Sequence, residues 1–144
     1  AAACDLAVCT ADAKFSFSEV RLGLIAATIS PYVVEAVGPR QARGLFATGR
    51  VFDAAYADKI GLVTEVVADT AALDAARDRI AAEMMACAPG AVEASKKLVD
   101  DVAHRPVEDV MEETAKRIAR ARVGEEGQEG VRAFLAKRKP IWAI

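Results

Sequence analysis

Histidine is all but missing: His104 is the only one in 144 residues. With one histidine and scattered cysteines, a zinc site is excluded as a working idea, and a Ser-His-Asp or Cys-His engine has one base at most. His104 precedes Arg105-Pro106 between two helical patterns and reads as a loop or helix-end residue. Cysteine is nearly as scarce. Cys4, Cys9 and Cys87 make an odd count without framework spacing, which predicts reduced thiols in a cytoplasmic setting. Cys4 and Cys9, five apart, are expected on opposite faces of one strand and are poor partners for one metal. No run of about 18 apolar residues occurs, so no membrane span is expected. A formal charge of −2 with no basic face argues against nucleic acid. The opening Ala-Ala-Ala-Cys-Asp-Leu-Ala-Val has no basic lead-in of the kind a secretory signal carries. Repeats and low-complexity tracts are also missing.

What is present is a soluble globular composition, 53% hydrophobic and 28% charged, long enough for one domain with a real core. The first half reads as mixed α/β. Residues 2–9 read as a buried strand carrying Asp5, 10–14 as a turn, and Phe15 to Phe17 as a second short strand. The two strands fit either a strand–turn–strand pair or two sheet layers. Pro31 opens a short helix over 31–37, stopped by Gly38-Pro39, and Arg40 to Ala47 form another, with Ala42, Leu45 and Phe46 on one face. Asp53 is the expected N-cap of a helix over Ala54 to Ile60, with Gly61 just past its end. Leu62 to Val67 reads as a strand.

The second half reads as all helix. The expected helices cover 70–86, from Pro89 onward, 107–122 and 125–139. Their inward stripes are Leu73, Ala76, Ile80 and Met84; then Val92, Ser95, Leu98, Val99 and Val102; then Val110, Met111, Thr114, Ile118 and Ala121; and finally Val131, Phe134 and Leu135. A chain that opens directly on a strand, with no polar turn before it, suggests that something normally precedes residue 1.

Two places can carry chemistry. Glu19 stands where the Phe15–Phe17 alternation ends, followed by the small residues Gly23, Ala26, Ala27, Thr28 and Ser30. It is either a solvent-facing acid after an edge strand or a catalytic carboxylate at a strand end. Lys137-Arg138-Lys139 follows Phe134 by one helical turn, so Phe134 and Lys137 are expected on one helix face. That pairing suits a phosphorylated aromatic group such as a nucleotide. The same residues also suit compensation of the helix dipole, with Phe134 in the core.

Three segments resemble one family. Phe17-Ser-Glu19-Val-Arg-Leu-Gly-Leu-Ile25 is similar to its second catalytic-Glu segment. The run from Gly38-x-x-x-Ala42 to Leu62-Val-Thr-Glu-Val66 resembles its "G-x-x-x-A … L-T-G … A-x-x-x-G-L-V-x-x-V" stretch. Glu129-Gly-Val-Arg-Ala-Phe-Leu-Ala-Lys-Arg-Lys-Pro resembles its tail. The family is the crotonase, or enoyl-CoA hydratase/isomerase, superfamily. Ala27-Thr-Ile-Ser-Pro-Tyr-Val33 resembles bacterial hydratases of the methylglutaconyl-CoA and isohexenylglutaconyl-CoA type. Ser18 stands where many relatives of the family have proline, and Ala26 stands where proline is expected in this subgroup.

The resemblance implies an α/β fold class: the C-terminal half of a crotonase (ClpP-like ββα superhelix) core over residues 1–68, then a helical trimerisation and CoA-contacting region over 69–144. It implies an enoyl-CoA hydratase with Glu19 as general acid/base, and with the first catalytic Glu and the oxyanion-hole amides upstream of residue 1. The 144-residue chain alone is then expected to show no turnover. A Δ3,Δ2-enoyl-CoA isomerase and a fragment serving only assembly are the alternatives. Phe134 and Lys137 would contact the adenosine end of CoA, while Leu24 and Ile25, with Phe17, would wall the acid. Coenzyme A would enter only as part of the substrate, with no other cofactor and no metal. The expected assembly is a homotrimer or dimer of trimers in the cytoplasm, in fatty-acid or branched-chain amino-acid breakdown.

Overall fold

The computed structural model describes residues 1–143, so only Ile144 of the expected 69–144 region lies outside the described residues. The chain divides into two compact units, Ala1–Asp78 and a second from Arg79 onward.

In the first unit, β1 (Val8–Thr10) pairs in parallel with β4 (Glu65–Val67), and β2 (Lys14–Ser16) pairs antiparallel with β3 (Val51–Asp53). The two early strands therefore belong to different sheets, which settles the two-layer alternative over the hairpin. The expected strand over 2–9 shrinks to Val8–Thr10 for a local reason. The Thr64 hydroxyl accepts the Ala7 N–H at 3.0 Å and donates to the Ala7 carbonyl at 2.9 Å. The same carbonyl takes the Thr64 N–H at 2.7 Å. Ala7's backbone groups are thus used up where the ladder would continue. Before it, a turn is closed by the Cys4 N–H on the Ala1 carbonyl at 2.9 Å, and Ala3 to Leu6 are exposed. Cys4 therefore lies in a turn rather than across a strand from Cys9. All three thiols are free, and burial, with Asp58 nearby, pushes the Cys9 thiol up, away from a reactive thiolate.

Helix α1 (Ser30–Thr48) carries the sharp break expected at Gly38-Pro39. Gly38 has φ 76° and ψ 159°, a region open essentially to glycine, so two helical segments meet there. Asp53 caps α2 (Ala54–Lys59) by accepting the Tyr56 N–H at 2.9 Å. At the other end Gly61, at φ 79°, sends its N–H to the Asp58 carbonyl, while the Leu62 N–H reaches Ala57. That pair of bonds is the Schellman arrangement. Val33, Val37, Ala42, Leu45, Phe52, Ala57, Leu62 and Val63 form the core. Phe15 stacks on Phe52 at 5.6 Å, and Phe17 meets Phe46 edge-on at 5.3 Å. The short β3 was not foreseen: three residues are too few to show alternation.

Helix α3 (Thr70–Met85) leads into the second unit, which holds α4 (Pro89–Val102), α5 (Val107–Val123) and α6 (Glu125–Leu135). Helix α4 has no cap in its own sequence. Instead the Glu126 carboxylate, from α6, accepts the N–H groups of Gly90 and Ala91, each at 2.9 Å. A negative group there meets the positive end of the helix dipole. Only Gly124 separates α5 from α6, and Gly127 lies against the end of α5: a β-carbon on it would overlap the Ala121 carbonyl oxygen.

The expected inward stripes hold only in part. Ala76 and Val110 are buried, with Leu73, Ile80, Val92, Leu98, Val102 and Thr114 half-buried. Met84, Ser95, Val99, Met111, Ile118, Ala121, Val131, Phe134 and Leu135 are exposed. The helical period is right, but in α5 and α6 the apolar face is wider than what the described residues cover.

Candidate active site

Glu19 does not end a strand. The extended segment stops at Ser16, and Glu19 opens a single 3₁₀ turn, Glu19–Leu22, closed by Gly23 at φ 72°. The backbone holds this turn tightly: the Arg21 N–H donates to Ser18 at 2.9 Å and the Leu24 N–H to the Glu19 carbonyl at 3.0 Å. Gly49, at φ 56°, packs so close that a β-carbon on it would sit 3.1 Å from Val20 and 3.2 Å from Arg21. The side chain of Glu19 is thus carried by a short, buttressed turn. Its Oε2 is buried and has no hydrogen-bond partner.

Glu19 lines an open cleft of about 150 Å³ with Val20, Leu24, Ile25, Ala26 and Phe46. Apart from Glu19, all of these side chains are apolar. An unpaired buried carboxylate oxygen is costly and calls for a reason. In an apolar cleft it is a group able to take or give a proton. Leu24 and Ile25 lie at the cleft, both exposed. Phe17 does not line it. Its ring packs on Phe46 and Phe52, and Phe46 presents the wall in its place. Phe46 had been visible only as a core-face residue of a helix remote in sequence.

Phe134 and Lys137 lie in the second unit, and the structure corrects how they are related. Helix α6 ends at Leu135 rather than near 139, so the two residues do not share a helix face. Lys137 instead has φ 51°. Its N–H reaches the Phe134 carbonyl at 3.1 Å and the Arg138 N–H reaches Ala133 at 3.0 Å, the same closure as at Gly61. A β-carbon in this left-handed region costs about 1 kcal/mol. Phe134 is 81% exposed, so it is not in the core.

Beside them, the Glu129 carboxylate takes two bonds from the Arg138 guanidinium, at 2.6 and 2.8 Å, and the Ile141 N–H at 3.2 Å. Arg138 foremost, helped by the Ile141 N–H and the charge of Arg132, outweighs burial and lowers the Glu129 pKa from 4.5 to about 2. A carboxyl lowered in the folded state stabilises fully above its unfolded value and loses that contribution as pH falls through the folded one. Between pH 4.5 and about 2, the urea midpoint is therefore expected to fall more steeply for the parent than for Glu129→Gln. Parallel curves would contradict this.

Among the described residues, no group of three His, Cys, Asp or Glu is placed to hold a metal, and no helix is long and apolar enough to cross a membrane.

The profile of the enoyl-CoA hydratase/isomerase family matches residues 1–143. A Thermus thermophilus protein provisionally named enoyl-CoA hydratase is 37% identical over 97% of this chain and 55% of its own length. The mitochondrial Δ(3,5)-Δ(2,4)-dienoyl-CoA isomerase of Dictyostelium discoideum is 30% identical over 97% of this chain and 48% of its own. The crystal structure of a provisionally named enoyl-CoA hydratase/isomerase (crotonase) from Legionella pneumophila superposes with a TM-score of 0.93 at 46% identity. It covers 98% of this chain, which matches 54% of that one. The chain thus spans about half the length of the relatives it matches.

Proposed function

This chain belongs to the enoyl-CoA hydratase/isomerase family, and from that premise we propose that it forms part of an enzyme hydrating the 2,3 double bond of an enoyl-CoA thioester. The observation that carries the reading is the carboxylate of Glu19, with Oε2 buried and unpaired in an apolar cleft. In hydration, water oxygen bonds to C3 as the C=C electrons move toward the thioester oxygen. One water proton leaves to a base and C2 receives a proton. Glu19 holds the water or delivers the C2 proton, sharing the work with a second carboxylate in the residues that the family resemblance places before Ala1. Those residues also supply the two backbone N–H groups that meet the enolate oxygen, each worth about 3 kcal/mol.

Leu24 and Ile25, at the cleft mouth, meet the acyl chain. A branched or carboxylated chain of the methylglutaconyl-CoA type is the narrower version of this reading. Phe134 and Lys137 serve the phosphorylated adenosine end of the CoA, the bare ring offering a stacking face and the ammonium a phosphate partner. Coenzyme A comes with the substrate. Exposed apolar residues of α5 and α6, Met111, Ile118, Val131 and Leu135 among them, are the contact faces of a cytoplasmic trimer or dimer of trimers.

A Δ3,Δ2-enoyl-CoA isomerase is the second reading. It is favoured by the isomerase name of a relative and by the sufficiency of one carboxylate for moving a proton between two carbons. The test is the full-length protein given crotonyl-CoA and, separately, a 3-enoyl-CoA. Production of 3-hydroxybutyryl-CoA at the higher kcat/KM is the expected result. Faster conversion of the 3-enoyl-CoA, with no hydrated product, would replace the hydratase reading by the isomerase one.

A further inference from the structure

Helices α2 and α6 are closed by the same pair of hydrogen bonds, yet they differ at the residue that must turn left-handed. After α2 it is Gly61, at φ 79°; after α6 it is Lys137, at φ 51°. Glycine would relieve the second turn as it relieves the first. A lysine held in a conformation that its β-carbon resists needs surroundings that over-determine it, and such places repay a search for function.

The surroundings here are explicit. On the near side, the Lys137 N–H is bound to Phe134. On the far side, Arg138 is tied back to α6 by both oxygens of Glu129, and one of those oxygens also takes the Ile141 N–H. Arg138 further donates to the Lys139 carbonyl at 3.0 Å. The Glu129 side chain is only 15% exposed, so this is a sheltered clamp rather than a loose surface pair. Both oxygens of Glu129 are engaged by the guanidinium fork. Among the described residues the Lys137 ammonium has no ion-pair partner, and the ring of Phe134 is bare.

We propose that Glu129 and Arg138 are positioning residues: their clamp fixes the backbone at Lys137 and leaves its ammonium free to meet a phosphate at the adenosine end of an acyl-CoA beside the Phe134 ring. This rests on the reading of Phe134 and Lys137 as the CoA contact. Neither Glu129 nor Arg138 touches the substrate in this scheme.

The experiment uses the full-length protein and two substrates with one acyl group, the CoA thioester and the pantetheine thioester, which lacks the phosphorylated adenosine. The readout is the ratio of their KM values. Lys137→Ala is expected to raise the acyl-CoA KM about tenfold, the loss of one charge-assisted contact, and to spare the pantetheine thioester. Glu129→Gln is expected to shift the ratio in the same direction by about threefold or more, with Arg138→Gln as a second route to the same loss should the first variant not fold. In the double variant Lys137→Ala/Glu129→Gln the ratio should equal that of Lys137→Ala alone, because the clamp acts only through the lysine. If Lys137→Ala changes both KM values equally, the CoA contact itself is refuted and the clamp's role falls with it. If Lys137→Ala discriminates but Glu129→Gln and Arg138→Gln leave the ratio at its parent value, or add their full effect in the double variant, the positioning role is overturned while the contact stands.

Discussion

Glu19→Gln in the full-length protein is expected to lower kcat by about 10²- to 10⁴-fold, the range of a positioned general acid–base group, with KM changed far less. The size follows from the chemistry: a carboxamide neither accepts a proton from water nor delivers one to C2. Folding should be spared, for a reason visible in the structure. Oε2 of Glu19 accepts no hydrogen bond, so the substitution breaks no bond at that oxygen. Unchanged or slightly higher thermal stability beside a collapsed kcat would be the mark of a group kept for reaction at the expense of the fold. Retention of full activity by the variant would sink the assignment. Loss of activity together with a large drop in stability would reduce Glu19 to a structural residue.

Gly127→Ala is expected to cost about 3 kcal/mol, the upper range for forced overpacking. The new β-carbon would overlap the Ala121 carbonyl oxygen and lie 3.0 Å from its carbon and 3.2 Å from the Arg122 Cα. These are backbone atoms, which cannot swing aside as a side chain can. Relief requires the one-residue joint at Gly124 to open, and that moves α6 against α5. Gly130→Ala, on the same helix, is the control. Its β-carbon would meet only the Trp142 ring, at 3.4 Å and beyond, and the helix gains from losing a glycine by about 0.5–1 kcal/mol. Urea unfolding of the two variants should therefore move in opposite directions. A Gly127→Ala midpoint equal to the parent's would show that the close approach of α5 and α6 is not rigid.

Where the chain punctuates itself locally, the structure was readable in advance. The start at Pro31, the break at Gly38-Pro39, the Asp53 cap and the Gly61 stop all use chemistry contained within four or five residues. Where the deciding partner is remote, the reading failed. Residues 2–7 look like a strand until Thr64 takes Ala7's backbone groups. Helix α6 looks like it runs to 139 until the Glu129–Arg138 pair bends the chain back. The candidate site divides the same way. Glu19 could be singled out from its own segment, whereas Phe46, which forms part of its cleft, comes from a helix more than twenty residues on. The fold carries the family's signature over nearly all of the chain. The roles of Glu19, Leu24, Ile25, Phe134 and Lys137 depend on chemistry that only substrate reveals.

The Glu126 carboxylate bound to Gly90 and Ala91 has a consequence for how the second unit opens. Helix α4 has no cap of its own, so its first amides are shielded from solvent exchange by a side chain 35 and 36 residues away. Protection of those two amides is then a property of the α4–α6 pair and not of α4. Any motion that lifts α6 through its joint at Gly124 unmasks the start of a different helix, and deuterium uptake at Gly90 and Ala91 becomes a clock for it.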